Sequence, residues 1–289
     1  MNDILQVENV SKAYEGFTLK DISFAIPKGC IMGLIGENGA GKTTMIKLIL
    51  NLIKRDAGNI HVFDLDNVEQ ETEVKRRIGV VLDELGFSDE LNAANVSTIM
   101  KNIHRSWSGA VFTDYLKKFN IQQKKKIKDY SKGMKTKLSI AVALSHNPDF
   151  LILDEPTSGL DPVIRSEILD LLLDFIQDEE KSVLFSTHIT SDLEKIADYI
   201  TFIHDGELVF SRDKESVQDD YGILKCTMEE FGTIDRDDII GYRENRFGCE
   251  ALITNRQEAD IKYKGLAVDP ASLEEIMLYY VKAKEGGRV

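Results

Sequence analysis

Residues 36–44 read Gly36-Glu37-Asn38-Gly39-Ala40-Gly41-Lys42-Thr43-Thr44. The apolar run Ile31-Met32-Gly33-Leu34-Ile35 precedes this stretch, and a helical pattern from Met45 to Ile53 follows it. Strand, glycine-rich turn and helix in that order make a phosphate-binding loop. Glycine carries no Cβ, so the backbone can turn its N–H groups inward around an oxyanion. The helix that begins near Gly41 adds unpaired N–H groups and the positive end of its dipole. Lys42 is spaced to bridge the two outer phosphates of a nucleoside triphosphate, and the Thr43 hydroxyl to hold Mg²⁺. The candidate nucleotide contacts are Gly36, Asn38, Gly39, Ala40, Gly41, Lys42, Thr43 and Thr44.

A second site follows from Phe150-Leu151-Ile152-Leu153-Asp154-Glu155. A short apolar run of this kind reads as a buried parallel strand. It delivers two carboxylates at its carboxyl end, where open α/β sheets bind ligands. Asp154 suits a carboxylate on Mg²⁺, and Glu155 a base that polarises an attacking water. Asp-Glu-Pro is also ordinary turn chemistry; the phosphate loop upstream favours the functional reading. Tyr14, Tyr130-Ser131-Lys132-Gly133-Met134-Lys135, Ser158-Gly159-Leu160-Asp161 and Ser186-Thr187-His188 complete the set of candidates.

With these motifs in this order from Asn2 to about Phe210, the chain resembles the ATP-binding cassette (ABC) ATPases. The resemblance implies ATP and Mg²⁺ as cofactors. It puts Tyr14 at the position of an adenine-stacking aromatic, although an aromatic in an N-terminal strand is also common core. It makes Ser131 and Gly133 the hydroxyl and backbone N–H that reach a γ-phosphate, Asp161 part of the D-loop, and His188 the switch histidine. It further implies ATP held between the phosphate loop of one subunit and the signature of another. The partners are then a homodimer, or a heterodimer with a related ATPase, and a separate transmembrane permease.

The chain departs from the family pattern in two places, the signature and the segment that ends at position 83. The signature, usually Leu-Ser-Gly-Gly-Gln, has Lys132 for its first glycine and Met134 for its glutamine. Methionine cannot hydrogen-bond as glutamine does. Where Ile78-Gly79-Val80-Val81-Leu82 should lead into glutamine, the chain has Asp83. Asp83 is a candidate oxygen ligand for Mg²⁺, or a solvated acidic turn. Leu85-Gly86-Phe87 beyond it reads as an exposed apolar tip, with Phe87 the anchor for a membrane partner. These variants resemble bacterial exporter ATPases associated with drug and antimicrobial-peptide efflux.

Composition narrows the classes. The chain has 289 residues with 36 basic against 49 acidic side chains, a net charge of −13. That balance argues against nucleic acid, so the lysine-rich stretch Lys124–Lys137 reads as a solvated face. No basic region and apolar stretch follow Met1, so no secretory signal is expected, and no apolar run is long enough to span a bilayer. Cys30, Cys226 and Cys249 follow no disulfide or metal spacing and read as reduced thiols. Trp107 has core packing as its default. Peripheral association with the cytoplasmic face of the cell membrane is the expected location.

The expected fold class is α/β, a P-loop NTPase core with an antiparallel β-subdomain, a helical signature subdomain and a small C-terminal α+β appendage. The expected division is an ATP-binding domain over 1–212, with the helical subdomain at about 84–146, and an accessory domain over 213–289. Asp205-Gly206 between apolar runs predicts a hairpin, and Pro162–Gln177 and Ser272–Lys284 predict helices. The functional expectation is the ATP-hydrolysing subunit of an exporter of drugs or antimicrobial peptides. The alternative is a soluble ABC ATPase acting on DNA or the ribosome. The interval from Lys42 to Ser131 is too short for the coiled coil of chromosome-type relatives, and translation-type relatives carry two cassettes.

Overall fold

The computed structural model describes residues 3–83, 85–246 and 248–283. Met1, Asn2, Glu84 and the end of the expected final helix lie outside the described residues. Strands β1 (Asp3–Tyr14) and β2 (Phe17–Pro27) form an antiparallel hairpin, and β3 (Ile31–Ile35) runs into the phosphate loop and helix α1 (Lys42–Ile49). Helix α1 stops four residues before Ile53, because Asn51 takes the left-handed φ of 50° that closes helices. Strands β4 (Ala57–Val62) and β5 (Leu65–Asp66) complete a four-stranded antiparallel sheet in the order β2-β1-β4-β5.

Helix α2 (Glu71–Arg77) leads to β6 (Ile78–Val81), and then α3 (Ala93–Ile103), α4 (Gly109–Lys118) and α5 (Lys132–Leu144) form the helical subdomain. Strand β7 (Phe150–Asp154), α6 (Pro162–Phe175), β8 (Ser182–Thr187), α7 (Thr190–Ile196), β9 (Tyr199–His204) and β10 (Glu207–Asp213) follow. The second sheet has the order β10-β9-β3-β8-β7-β6, parallel throughout except for the β9–β10 hairpin. Asp205 and Gly206, at φ 50° and 75°, make the tight turn of that hairpin.

Both faces of the parallel sheet are covered, which is why its strands read as unbroken apolar runs. Successive side chains of β7 alternate between two cores. Leu151 and Leu153 join the helices, while Phe150 and Ile152 join the antiparallel sheet. The helical subdomain packs on the first of these cores. Trp107 lies there, its ring 5.1 Å from Phe112 and its Nε1 donating to Ser97 Oγ at 3.3 Å. The lysine-rich stretch is neutralised locally: Lys126 and Lys128 pair with Glu90, and Lys135 with Asp89.

The C-terminal portion holds α8 (Lys214–Asp220), β11 (Gly222–Cys226), α9 (Met228–Phe231), β12 (Ile239–Asn245), β13 (Gly248–Ile253), α10 (Arg256–Lys262), β14 (Ala267–Pro270) and α11 (Leu273–Ala283). Its sheet is antiparallel in the order β12-β13-β11-β14, over a small core that includes Leu224, Phe231 and Ala251. The expected boundary after Arg212 falls inside β10, whose Asp213 still pairs with Tyr199 and caps α8. Val217 of α8 and Leu273, Ile276 and Tyr279 of α11 belong to the main core of the ATPase. The Tyr280 ring stands edge-on to Phe202 at 5.6 Å, and its hydroxyl lies 3.0 Å from that of Tyr221. Helix α11 is thus a strap that returns to the parallel sheet.

Ile276 is fully buried under this strap. Ile276→Ala should cost about 2–5 kcal/mol of unfolding free energy in equilibrium denaturation. A loss below about 1 kcal/mol would mean that the strap is not packed on the ATPase core.

Candidate nucleotide site

Strand β3 carries the chain to Gly36, where a Cβ would stand 2.3 Å from the Ile203 carbonyl oxygen. Only glycine lets the loop pass this close to β9. Gly41 has φ 116°, and a Cβ there would stand 2.7 Å from Leu19 Cδ1, so α1 can start directly against β2. Ala40 is buried beneath the loop, and its carbonyl accepts from Gly206 N at 3.1 Å. The loop is thereby seated on both the antiparallel sheet and the β9–β10 turn.

Lys42 is 5% exposed. Its ammonium donates to the carbonyls of Gly36 at 2.8 Å and Glu37 at 3.1 Å, and it lies 3.5 Å from Glu155 Oε1. These acceptors offset the cost of taking a cation out of water. Thr43 Oγ1 donates to Asp154 Oδ2 at 2.8 Å, while Asp154 Oδ1 is buried with no hydrogen-bond partner. Glu155 adopts φ 51°, a region sparsely used by residues other than glycine. Its N–H donates to the Ser186 carbonyl at 2.9 Å, which ties the end of β7 to β8. The carboxylate then reaches His188, with Oε2 2.8 Å from Nδ1.

A cavity of about 320 Å³ joins Asn38, Gly39, Gly41, Lys42, Thr43 and Thr44 of the loop to Asp83, Asp154 and Glu155. Residues far apart in the chain therefore meet at the carboxyl ends of β3, β6 and β7. Among the described residues no three His, Cys, Asp or Glu side chains converge as a metal cage. Thr43 and Asp154 place a hydroxyl and a carboxylate side by side at the edge of this cavity.

Other expected residues lie outside the cavity. Tyr14 is 46% exposed at the end of β1, with Lys12 Nζ 5.5 Å from its ring. Its hairpin partner Phe17 lines the cavity instead. Ser131 caps α5 by accepting from Met134 N at 3.3 Å. Gly133 sits where a Cβ would meet Ile164 at 2.6 Å, so it also closes α5 onto α6. Asp161 caps α6, accepting from Val163 and Ile164 N at 3.1 Å. The expected Phe87 tip is not a free wedge: Leu85 and Phe87 are half-buried and pack against the main core. Apolar side chains next to an open core bury themselves before any partner arrives.

Sequence reasoning missed two buried polar residues near the site. Buried Asp192 on α7 accepts from Thr157 Oγ1 at 2.7 Å and pairs with Arg165, holding the segment after Glu155 in place. Buried His204, the last residue of β9, has Nδ1 2.9 Å from Glu37 Oε1, although neither ring nitrogen makes a hydrogen bond to the described residues. Neither has a local signature; a polar residue closing an apolar strand is the only sign for His204.

The family model described as ABC transporter matches residues 19–158. The ABC transporter ATP-binding protein NatA of Bacillus subtilis (strain 168) is 37% identical over 205 residues, 69% of this chain and 83% of NatA. The chain belongs to the ABC transporter ATP-binding family. The bacitracin transport ATP-binding protein BcrA of Enterococcus faecalis is 34% identical over 212 residues, 72% of this ABC chain and 69% of BcrA. A solved ATP binding subunit of an ABC transporter superposes with a TM-score of 0.66 at 25% identity, over 74% of this ABC protein and 92% of that chain. The ABC protein is accordingly an ATPase whose nucleotide is ATP and whose work is transport with a transmembrane partner. Among its described residues no helix is long and apolar enough to cross a membrane.

Lys42→Ala removes the one buried ammonium of the loop cavity. A charge-assisted contact is worth about 1.5–3 kcal/mol, so ATP affinity in calorimetry should fall by about tenfold or more. Unchanged affinity would remove Lys42 from the phosphate site.

Proposed function

We propose that this ATPase drives an exporter of drugs or antimicrobial peptides by closing against a second ATPase subunit when ATP binds. The observation that carries the reading is the split between the two anion-binding halves. Lys42, Thr43, Asp154, Glu155 and Asp83 surround one cavity, while Ser131 and Gly133 stand outside it at the start of α5. A second copy of this chain, or a related ATPase, would bring its own Ser131, Gly133 and Asp161 to the open side. ATP then holds two subunits together, and hydrolysis removes the attraction. The bacitracin transport relative supports a peptide or drug cargo.

In this reading the loop N–H groups and Lys42 bind the β- and γ-phosphates, and Tyr14, exposed beside Phe17, stacks on the adenine. Thr43, Asp154 and the nearby Asp83 would hold Mg²⁺, which when bound neutralises phosphate charge. Glu155 orients the attacking water and takes its proton. His188 holds Glu155 through Nδ1 and would contact the γ-phosphate. The left-handed backbone at Glu155 aims that carboxylate back over the loop, so strain at one residue places the base.

The transmembrane partner docks, in this proposal, in an apolar groove of about 340 Å³ whose walls include Leu52, Val80, Leu82 and Met100. Leu52 is 52% exposed there. The groove runs along β6, whose next residues are Leu82 and Asp83, so movement of the partner reaches the cavity through a short backbone path. The ATPase is then peripheral, at the cytoplasmic face of the membrane, and the antiparallel sheet from β11 to β14 is an accessory unit tied to the ATP-binding domain by α8 and α11.

Glu155→Gln should retain ATP binding and lose turnover by about 10²–10⁴-fold, accumulating as an ATP-bound dimer in size-exclusion chromatography. A monomeric variant with near-normal hydrolysis would reject both the base and the dimer. Leu52→Glu places a charge in the groove and should abolish co-purification with the permease, while the isolated subunit hydrolyses ATP as before. Undiminished co-purification would place the docking surface elsewhere.

A further inference from the structure

Strands β11 and β13 run antiparallel with Cys226 directly opposite Cys249. Opposed residues of such a ladder project to the same face, with Cα atoms about 4.5–5.5 Å apart. A disulfide spans Cα separations of about 4.4–6.8 Å. The Cβ atoms of an opposed pair, about 4.5–5.5 Å apart, need to approach by about 0.7–1.7 Å to reach the usual disulfide separation of about 3.8 Å. Cys226 is the last residue of β11, and no β11–β13 pair lies beyond it. Cys249 is also paired with Glu244 of β12, so the movement falls chiefly on Cys226, at the open end of β11.

The two thiols differ in access. Cys249 is buried and Cys226 half-buried, and both border a cavity of about 370 Å³ walled by Lys225, Glu230 and Glu250 among others. Cys30 belongs to a different region, ahead of β3 and far along the chain from both. We propose that Cys226 and Cys249 form a dithiol modification site that small disulfides of the glutathione class oxidise. The Cys226 thiolate attacks one sulfur of the small disulfide, giving a mixed disulfide and releasing one small thiolate. The Cys249 thiolate then attacks the Cys226 sulfur and expels the second small thiolate, leaving the Cys226–Cys249 bond. The small disulfide is the oxidant and is reduced; the two cysteine protons end on the two released thiols. The cavity beside Cys226 is the space in which the mixed disulfide forms.

Burial pushes both thiols up, and Cys249 reaches about 11, with the neighbouring Cys226 and the Glu244 and Glu250 charges adding to the effect. Since the thiolate is the attacking species, closure is slow near neutral pH and accelerates as pH rises. The test treats the full chain with excess oxidised glutathione, then alkylates remaining thiols and reads masses. Alkylatable cysteines should fall from three to one, with Cys30 the survivor and a peptide link joining Cys226 to Cys249. The rate should increase from about pH 7 to about pH 9. Cys249→Ser should stop at a stable mixed disulfide on Cys226, and Cys226→Ser should leave Cys249 largely unmodified. Three alkylatable thiols after prolonged exposure at the higher pH, a mixed disulfide on Cys226 that never closes in the unsubstituted chain, or a link involving Cys30 would each overturn the proposal.

Discussion

The site depends on keeping Lys42 charged while almost wholly out of water. An ammonium in that position must have acceptors, and the fold supplies them from two directions. The loop's own carbonyls at Gly36 and Glu37 come from the turn that β3 enters, and the Glu155 carboxylate comes from the end of β7. A phosphate entering the cavity competes for the same ammonium. The lysine can therefore exchange weaker carbonyl partners for a stronger anionic one without ever losing all of them.

That arrangement constrains the strand order. Strand β8 lies between β3 and β7, so its end is the bridge across which the loop and the carboxylates face each other. The Ser186 carbonyl accepts from the Glu155 N–H, and His188 just past the strand donates from Nδ1 to the Glu155 carboxylate. A parallel sheet aligns these strand ends on one side. The unfavourable φ at Glu155 is held by the hydrogen bond to β8 and by Asp192 gripping Thr157, so the strain resides where the carboxylate must be aimed.

Helix starts give the signature and D-loop segments a second role. Ser131 and Asp161 satisfy backbone N–H groups of α5 and α6, and Gly133 lets the two helices approach. Any contact these residues make to nucleotide on another subunit is built on elements already rigid within their own chain. Strand β6 and the residues up to Asp83 lie between the apolar groove at Leu52 and the loop cavity.

The phosphate loop, the acidic strand end, the hairpin at Asp205-Gly206 and the helices from Pro162 and Leu273 were legible because each depends on neighbours in sequence: apolar period, glycine at a turn, a capping side chain. Contacts between distant segments were decided by tertiary structure. Strand order brought His188 to Glu155 and Asp83 to the loop. The β1–β2 register turned Phe17 toward the cavity and left Tyr14 outside it. Core packing drew in Phe87, which its exposed-looking flanks had suggested was free. Strand pairing set Cys226 against Cys249, and α11 returned to the ATPase core although composition changes after Arg212. Local pattern sets which face of an element is apolar; which element meets that face depends on chain crossings and register, and single-residue spacing carries no record of either.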